Sequence, residues 1–301
     1  MALRFGPPIS HLAPPYGLLA EAYDDVIGRN FFERVRQIFE QLVAQHRIGF
    51  SSAADLGCGT GLFARYLSSL WRVPVFGVDL SPAMLRVAAS NCRDTDVTLL
   101  HQDIRRLRLP RRVDLVTANF DTLNHLVNDG ELPALFRRVY DHLHPGGHFI
   151  FDFITPCDPL GAPAMIHRRR SRDGHRQVTQ RIRWVPGRRM LFYEVLFRES
   201  ARPAPRLELH RERTYWPRDV ATWLLDAGLV LRDVLDAATL RQATACHRRI
   251  IVVAQKPAGA PTRSGTSRLL AGADTSPGKQ PRRFRGGDGQ DALFGKEENT
   301  Q

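Results

Sequence analysis

The stretch "DLGCGTG" (55–61) puts Gly57, Gly59 and Gly61 directly behind the short apolar run "AADL" (53–56). A strand, a glycine turn and a helix start make a ligand site for physical reasons. Glycine lets the backbone turn tightly and approach a ligand closely, and the free N–H groups of a helix start favour negative or polar ligand atoms. The candidate ligands are a dinucleotide, a phosphate group and an adenosyl group. Spacing separates them: the dinucleotide fingerprint G-x-G-x-x-G fails by one residue, and no Lys follows to complete a phosphate loop. Two acids stand downstream. Asp79 ends "VPVFGVD" (73–79), where a carboxylate either accepts both hydroxyls of a ribose or is an exposed loop acid. Asp103 follows "VTLLH" (97–101); with Ile104 beside it, its carboxylate or the neighbouring backbone N–H can address an adenine edge. That second acid has no place in the dinucleotide fingerprint.

The elements that must position these residues are legible as an alternation. "LFARYLSSL" (62–70), "SPAMLRVAAS" (81–90) and "ELPALFRRVYDHL" (131–143) read as helices between the strands "AADL", "VPVFGVD", "VTLLH", "VDLVTA" (113–118) and "HFIFDFI" (148–154). Ser81 is a natural N-cap, and Pro82 takes the first helical position, where its missing N–H costs nothing. "HPGG" (144–147) reads as a turn. Strands alternating with helices predict an α/β fold with a parallel sheet covered on both faces. Ahead of it, residues 1–17 read as a loose Pro- and Gly-rich arm and 18–46 as one or two helices.

Residues 176–215 break this rhythm with three strand-like runs, the first two linked by "PGR" (186–188), which predicts an antiparallel insert. Both faces of 190–198 are largely apolar, which predicts a central strand. Alternation returns with a helix at 217–228 and closing strands at 229–236 and 248–256. Beyond Pro257 the composition predicts disorder.

Composition narrows the class. No apolar run approaches the roughly 18 residues of a membrane helix, and the N-terminus has no signal-peptide core, so a cytoplasmic protein with no membrane partner is expected. The cysteines at 58, 92, 157 and 246 have no metal-like spacing and no metal site is expected. The net charge is +12, and only three of the basic residues are Lys. Residues 168–213 hold 14 Arg against 5 acids, a net +9 equal to that of residues 1–255. This basic insert is either a solvated rim or a surface for an anionic substrate or RNA.

"DLGCGTG", "FGVDLSPAML" (76–85), "HQDI" (101–104) and "LHPGGHFIFDF" (143–153) stand in the order and spacing of the class I S-adenosylmethionine (SAM)-dependent methyltransferases. The chain resembles that family over residues 50–155 and more loosely to 256, in its small-molecule branch of methyltransferase domain 25/11 type. The resemblance implies a Rossmann-like seven-stranded sheet with helices on both faces and an inserted antiparallel sheet. It implies five parts: 1–50, an arm and helices that form a lid; 51–160, the SAM-binding domain; 161–215, the β insert as substrate roof or homodimer interface; 216–256, the last helix and closing strands; and 257–301, a disordered tail. SAM is the implied cofactor. Asp55, Gly57 and Gly59 would line its methionine end, with Cys58 packing behind the loop. Asp79, with Leu80 beside it, would bind the ribose. Asp103 and Ile104 would flank the adenine, with Met84 near it or in ordinary helix packing. Asn119 and Phe120 would face the transferring methyl group.

The acceptor is less defined. "NFDTLNHL" (119–126) lacks the Pro-Pro-aromatic run of base-amine methyltransferases and resembles the group acting on small molecules at nitrogen or oxygen, on an acceptor that is anionic or amino-sugar-like. RNA methylation through the Arg-rich insert is the alternative. His125 is either a base, its ordinary pKa being near neutrality, or a core or surface histidine. Tyr23 in "AYD" either closes over the cofactor, as the resemblance implies, with Tyr16 the weaker candidate, or is a core tyrosine.

Overall fold

Runs of β-branched and aromatic residues become strands here, and apolar stripes at helical spacing become the helices that cover them. The computed structural model describes residues 11–157, 160–162, 164–243 and 246–259. In chain order its elements are β1 (His11–Ala13), α1 (Ala20–Tyr23), α2 (Arg29–His46), β2 (Ala53–Leu56), α3 (Leu62–Trp71), β3 (Val75–Asp79), α4 (Pro82–Asn91), β4 (Val97–His101), β5 (Val113–Ala118) and α5 (Glu131–His142). There follow β6 (Leu143–Ile154), β7 (Ala164–Arg170), β8 (Arg176–Val185), β9 (Met190–Glu199), β10 (Arg202–Arg213), α6 (Pro217–Asp226), β11 (Val230–Asp236) and β12 (Arg249–Gln255).

The main sheet has seven strands in the order β11-β12-β6-β5-β2-β3-β4. The five strands from β6 to β4 are parallel; β12 alone runs against them, and β11, antiparallel to β12, points the same way as the five. The chain winds outward in one direction through β2, β3 and β4, then restarts at β5 beside β2. That switch point opens a crevice at the carboxyl ends of the strands, where ligands of open α/β sheets bind. The core behind it is aromatic: Phe136 of α5 packs on Phe149, Phe151 and Phe153 of β6, all at most 1% exposed. Burying each such ring contributes about 1.5–3 kcal/mol. At α4, the Ser81 hydroxyl accepts the Met84 N–H at 3.3 Å and Pro82 starts the helix.

The second sheet has the order β1-β10-β9-β8-β7, and β9 is its central strand. Its inward side chains Leu191, Val195 and Phe197 are buried, and α1 and the π-helical turn Asp24–Gly28 pack beneath it through Leu19, Ala22, Val26 and Ile27.

Two local expectations are corrected. The "HPGG" stretch is a bulge within β6, not a turn: Val113 faces Leu143 but Leu115 faces His148. The Gly146 N–H donates to the Lys256 carbonyl and the Lys256 N–H to the Gly147 carbonyl, both at 2.9 Å, so the end of β12 replaces the lost ladder partners. The arm is not wholly loose, because residues 11–13 add as a parallel strand to the edge of β10. Arg168, Arg169 and Arg170 end the edge strand β7, which pairs with β8. Exposed Arg168 and Arg170 on that edge resist pairing with a second sheet, so a homodimer through the insert gains no support. The expected tail lies, from residue 260 on, outside the described residues, as do residues 1–10 of the arm.

Candidate active site

The carboxyl ends of β2, β3, β4 and β5 converge on a cleft of about 1100 Å3. Every residue expected at the site borders it: Tyr23, Asp55, Gly57, Cys58, Gly59, Asp79, Leu80, Met84, Asp103, Ile104, Asn119, Phe120 and His125. Gly57 is fixed by space and backbone angle, Gly59 by backbone angle alone. Gly57 has φ +65°, and a Cβ there would lie 2.4 Å from the Thr122 hydroxyl. Gly59 has φ +55°, and a Cβ there would meet nothing within 4 Å, because the position looks into the open cleft. Cys58 is 8% exposed, with its sulfur against Gly77 behind the loop.

Asp79 ties the loop together. It accepts the Gly59 N–H on one carboxylate oxygen and the Ser81 N–H on the other, each at 2.8 Å. Burial raises its pKa, and the backbone N–H groups of Ser81 and Gly59 oppose that shift. Asp55 is more deeply buried. Burial pushes its pKa up to about 7, while the Thr117 hydroxyl, donating at 2.8 Å, favours the charged form. The Asn119 amide nitrogen is buried beside it, close enough to favour that charge, but without a hydrogen bond of full geometry. Asp103 differs: it binds the Arg105 guanidinium at 2.6 Å and accepts the Arg105 N–H, and Arg105 lowers its pKa. Leu80 is 58% exposed at the border of the cleft, whereas Met84 is buried against Ala20 and Ala83 with Tyr23 packed alongside.

The arm closes one side. Asp24, next to Tyr23, accepts the Thr60 hydroxyl at 2.6 Å and the Asn91 amide at 3.0 Å, latching the first helix onto the glycine loop. From above, Glu208 of β10, wholly buried, accepts the N–H groups of Tyr16, Leu18 and Leu19 and contacts His210 at 2.9 Å. The sequence reading missed Glu208; its only signal is the alternation "ELHRE", which sets Glu208, His210 and Glu212 on one face of a strand. Replacing Glu208 by Ala leaves three backbone donors unmet. We expect amide exchange at residues 16, 18 and 19 to speed up by about tenfold or more, with β9 still protected, as hydrogen-exchange mass spectrometry would report.

Tyr16, Tyr23, Phe120 and His210 form a wall between the cleft and a second, smaller pocket of about 130 Å3 under the roof sheet. The Tyr16 hydroxyl lies 2.9 Å from His125 Nε2 and its ring meets that of His210 edge-on at 4.5 Å. Burial lowers the His125 pKa to about 4, with His210 adding to the effect. His125 is therefore neutral at pH 7, although 30% of its side chain faces the cleft. Phe120 and Asp121 both adopt left-handed backbone conformations, φ +57° and +62°, a strained pair of the kind that collects at functional sites. The Phe120 N–H donates to Asp152 at 2.7 Å. Arg249 of β12 binds both Asp152 and Asp121, the latter at 2.6 Å. Asp121, Tyr193, Glu212 and Arg249 border the smaller pocket; none was singled out from the sequence, since the insert and the last strand supply most of them. The Arg run of β7 borders neither cavity.

A glycine loop at the switch point of a seven-stranded sheet, with carboxylates ending the next strands, defines a nucleoside-binding α/β protein. Residues 53–147 match the family model described as "Methyltransferase domain". A protein of Geobacillus sp. (strain WCH70), provisionally named a methyltransferase, is 26% identical over 268 residues, 80% of this chain and 99% of its own. The dTDP-3-amino-3,6-dideoxy-alpha-D-glucopyranose N,N-dimethyltransferase of Streptomyces fradiae is 34% identical over 134 residues, 44% of this chain and 51% of that one. The fold matches an S-adenosylmethionine-dependent methyltransferase from Clostridium acetobutylicum ATCC 824 with a TM-score of 0.68 and 22% identity, covering 80% of this chain and 99% of that one. Residues 53–147 are a methyltransferase domain, and the fold around them is that of the class I SAM-dependent methyltransferases. Its cofactor is SAM, and the open space in front of Gly59, between Asp55 and Asp79, suits such a group. No described helix is long and apolar enough to cross a membrane.

Proposed function

We propose that this enzyme methylates a nitrogen or oxygen of a small molecule, and that an amine on a sugar-like acceptor is the favoured target. The observation that carries this reading is the pair of adjoining cavities. The large cleft suits the cofactor, and the 130 Å3 pocket behind Tyr16, Tyr23, Phe120 and His210 suits one small functional group. The Streptomyces fradiae relative, whose name gives an amino sugar as its substrate, supports the same acceptor class.

The residue roles follow from that reading. Asp79 holds the ribose hydroxyls, while Gly57 and Gly59 let the loop approach the cofactor. Asp55 and Asn119 receive the methionine end. Leu80, Met84, Asp103 and Ile104 surround the adenine, with Asp103 oriented by Arg105. Bound SAM supplies a methyl group already activated on a sulfonium, so orientation and exclusion of water provide most of what the protein must add. Tyr23 and Asp24 keep the arm over the loop. Tyr16 and His125 stand at the passage between the cavities. His125, neutral and hydrogen-bonded to Tyr16, serves better to position the acceptor than to capture a proton at pH 7.

Titration calorimetry of S-adenosylhomocysteine into the full chain tests the cofactor reading, with NAD as control. Micromolar or tighter binding, about 8 kcal/mol or more, with no heat from NAD is expected. Turnover is then sought with amino sugars and their nucleotide-linked forms. If RNA fragments are methylated instead, with binding that weakens steeply in salt, the small-molecule reading fails.

A further inference from the structure

We propose that Glu212 is a specificity residue that draws the acceptor amine as its ammonium form into the pocket beneath the roof sheet and takes up the proton the nitrogen must lose before it can attack the methyl group. This rests on the small-molecule reading of the site. The inner face of β10 carries Glu208, His210 and Glu212 in succession, all at most 6% exposed. Such a polar row costs free energy unless each group finds partners, and the three differ in how far they do. Glu208 accepts three backbone N–H groups and contacts His210. Glu212 accepts the Tyr193 hydroxyl on Oε2 at 2.7 Å. The nearest ion-pair contact of its Oε1, among the described residues, is His125 Nε2 at 3.8 Å.

That contact does not satisfy the oxygen. The Arg211 carbonyl favours a proton on the His125 ring, and the Tyr16 hydroxyl occupies Nε2. The network therefore leaves a neutral imidazole presenting its lone-pair nitrogen toward the carboxylate. The other charges nearby are committed. Arg249 is shared by Asp121 and Asp152, and Arg248, which also borders the pocket, has an interaction of its own. Burial, reinforced by Asp121, holds the Glu212 pKa well above the ordinary carboxylate value.

A carboxylate buried at 4% exposure, bordering a cavity and lacking a cation, is the natural partner of an ammonium group that enters that cavity. An alcohol would gain only a hydrogen bond there, without the attraction between opposite charges that an ammonium adds. The pocket would thus select amines over otherwise identical hydroxyl acceptors.

Trimethylammonium chloride and its neutral isostere tert-butanol probe the pocket directly. Their effects on the Tm of the full-length protein are compared at pH 8, with and without S-adenosylhomocysteine, in wild type, Glu212→Gln and Glu212→Asp. Wild type and Glu212→Asp are expected to respond to the ammonium and not to the alcohol. Glu212→Gln should lose about tenfold or more of the ammonium affinity. Without ligand it should melt about 2–5 °C higher than wild type, because it removes a buried carboxyl whose raised pKa costs stability at pH 8. A carboxylate with a merely structural role would instead lower the Tm. An equal response to both probes, an ammonium response that survives in Glu212→Gln, or a Glu212→Gln chain that does not fold each overturns the proposal. Absence of S-adenosylhomocysteine binding with ammonium selection intact would sink the cofactor reading and leave the Glu212 assignment standing.

Discussion

Asp79→Ala is expected to weaken S-adenosylhomocysteine binding by about 100-fold or more while the protein stays folded. The carboxylate does two jobs. It accepts the Gly59 and Ser81 N–H groups at 2.8 Å, which fixes the glycine loop against the start of α4, and by our reading it accepts the ribose hydroxyls. Hydrogen bonds to a charged group are worth about 1.5–3 kcal/mol each, so losing the ribose contacts alone removes at least tenfold. The two backbone donors left without their acceptor then loosen the loop. Asp79→Asn keeps an acceptor of the same shape without the charge and should fall between the two. Calorimetry reads the affinity and circular dichroism the fold. Wild-type affinity in a folded Asp79→Ala protein would remove this residue from the cofactor site.

Arg249→Met should have the largest effect on stability. The guanidinium is buried between Asp121 and Asp152, and Asp152 also holds the Phe120 N–H at 2.7 Å. Removing one partner of a buried ion pair costs about 3–5 kcal/mol, because a charge is left without compensation. For a chain of this size that is a Tm lower by about 6–20 °C. The pH dependence has a definite sign. Burial already raises the Asp152 pKa and Arg249 opposes it, so loss of the arginine raises it further. A carboxyl whose folded pKa exceeds its unfolded one adds stability at low pH and loses it as pH rises through the folded value. The deficit of Arg249→Met relative to wild type should therefore be largest at pH 8 and shrink toward pH 5. A deficit that does not change with pH would mean that the loss comes from packing, not from the carboxylates.

The half of the candidate site that borders the large cleft was legible because it is built locally. Asp55, Gly57, Gly59, Asp79, Asp103, Asn119 and Phe120 each lie at or just beyond the carboxyl end of a strand of the same parallel sheet. Parallel strands joined by helices must bring their carboxyl ends to one edge, so order along the chain became proximity in space. Strand and helix starts were equally readable, as at Ser81 and Pro82. The roof was less so. A bulged strand such as β6 around "HPGG" and a charged edge strand such as β7 carry the residues of turns and rims, and only pairing partners make them strands.

Sequence by itself determined the sheet, the glycine loop and the acids that follow its strands. The reason is that hydrophobic periodicity and glycine spacing act over a few residues. Only the tertiary structure decided what stands over that loop. Strand register sends alternate side chains to opposite faces, and in β10 it turned Glu208, His210 and Glu212 inward while Leu209 is left 46% exposed. The partners of those buried groups, the arm's N–H groups and Tyr193, come from segments up to about 190 residues away. No local pattern records such pairings, because they exist only once the two sheets close on each other.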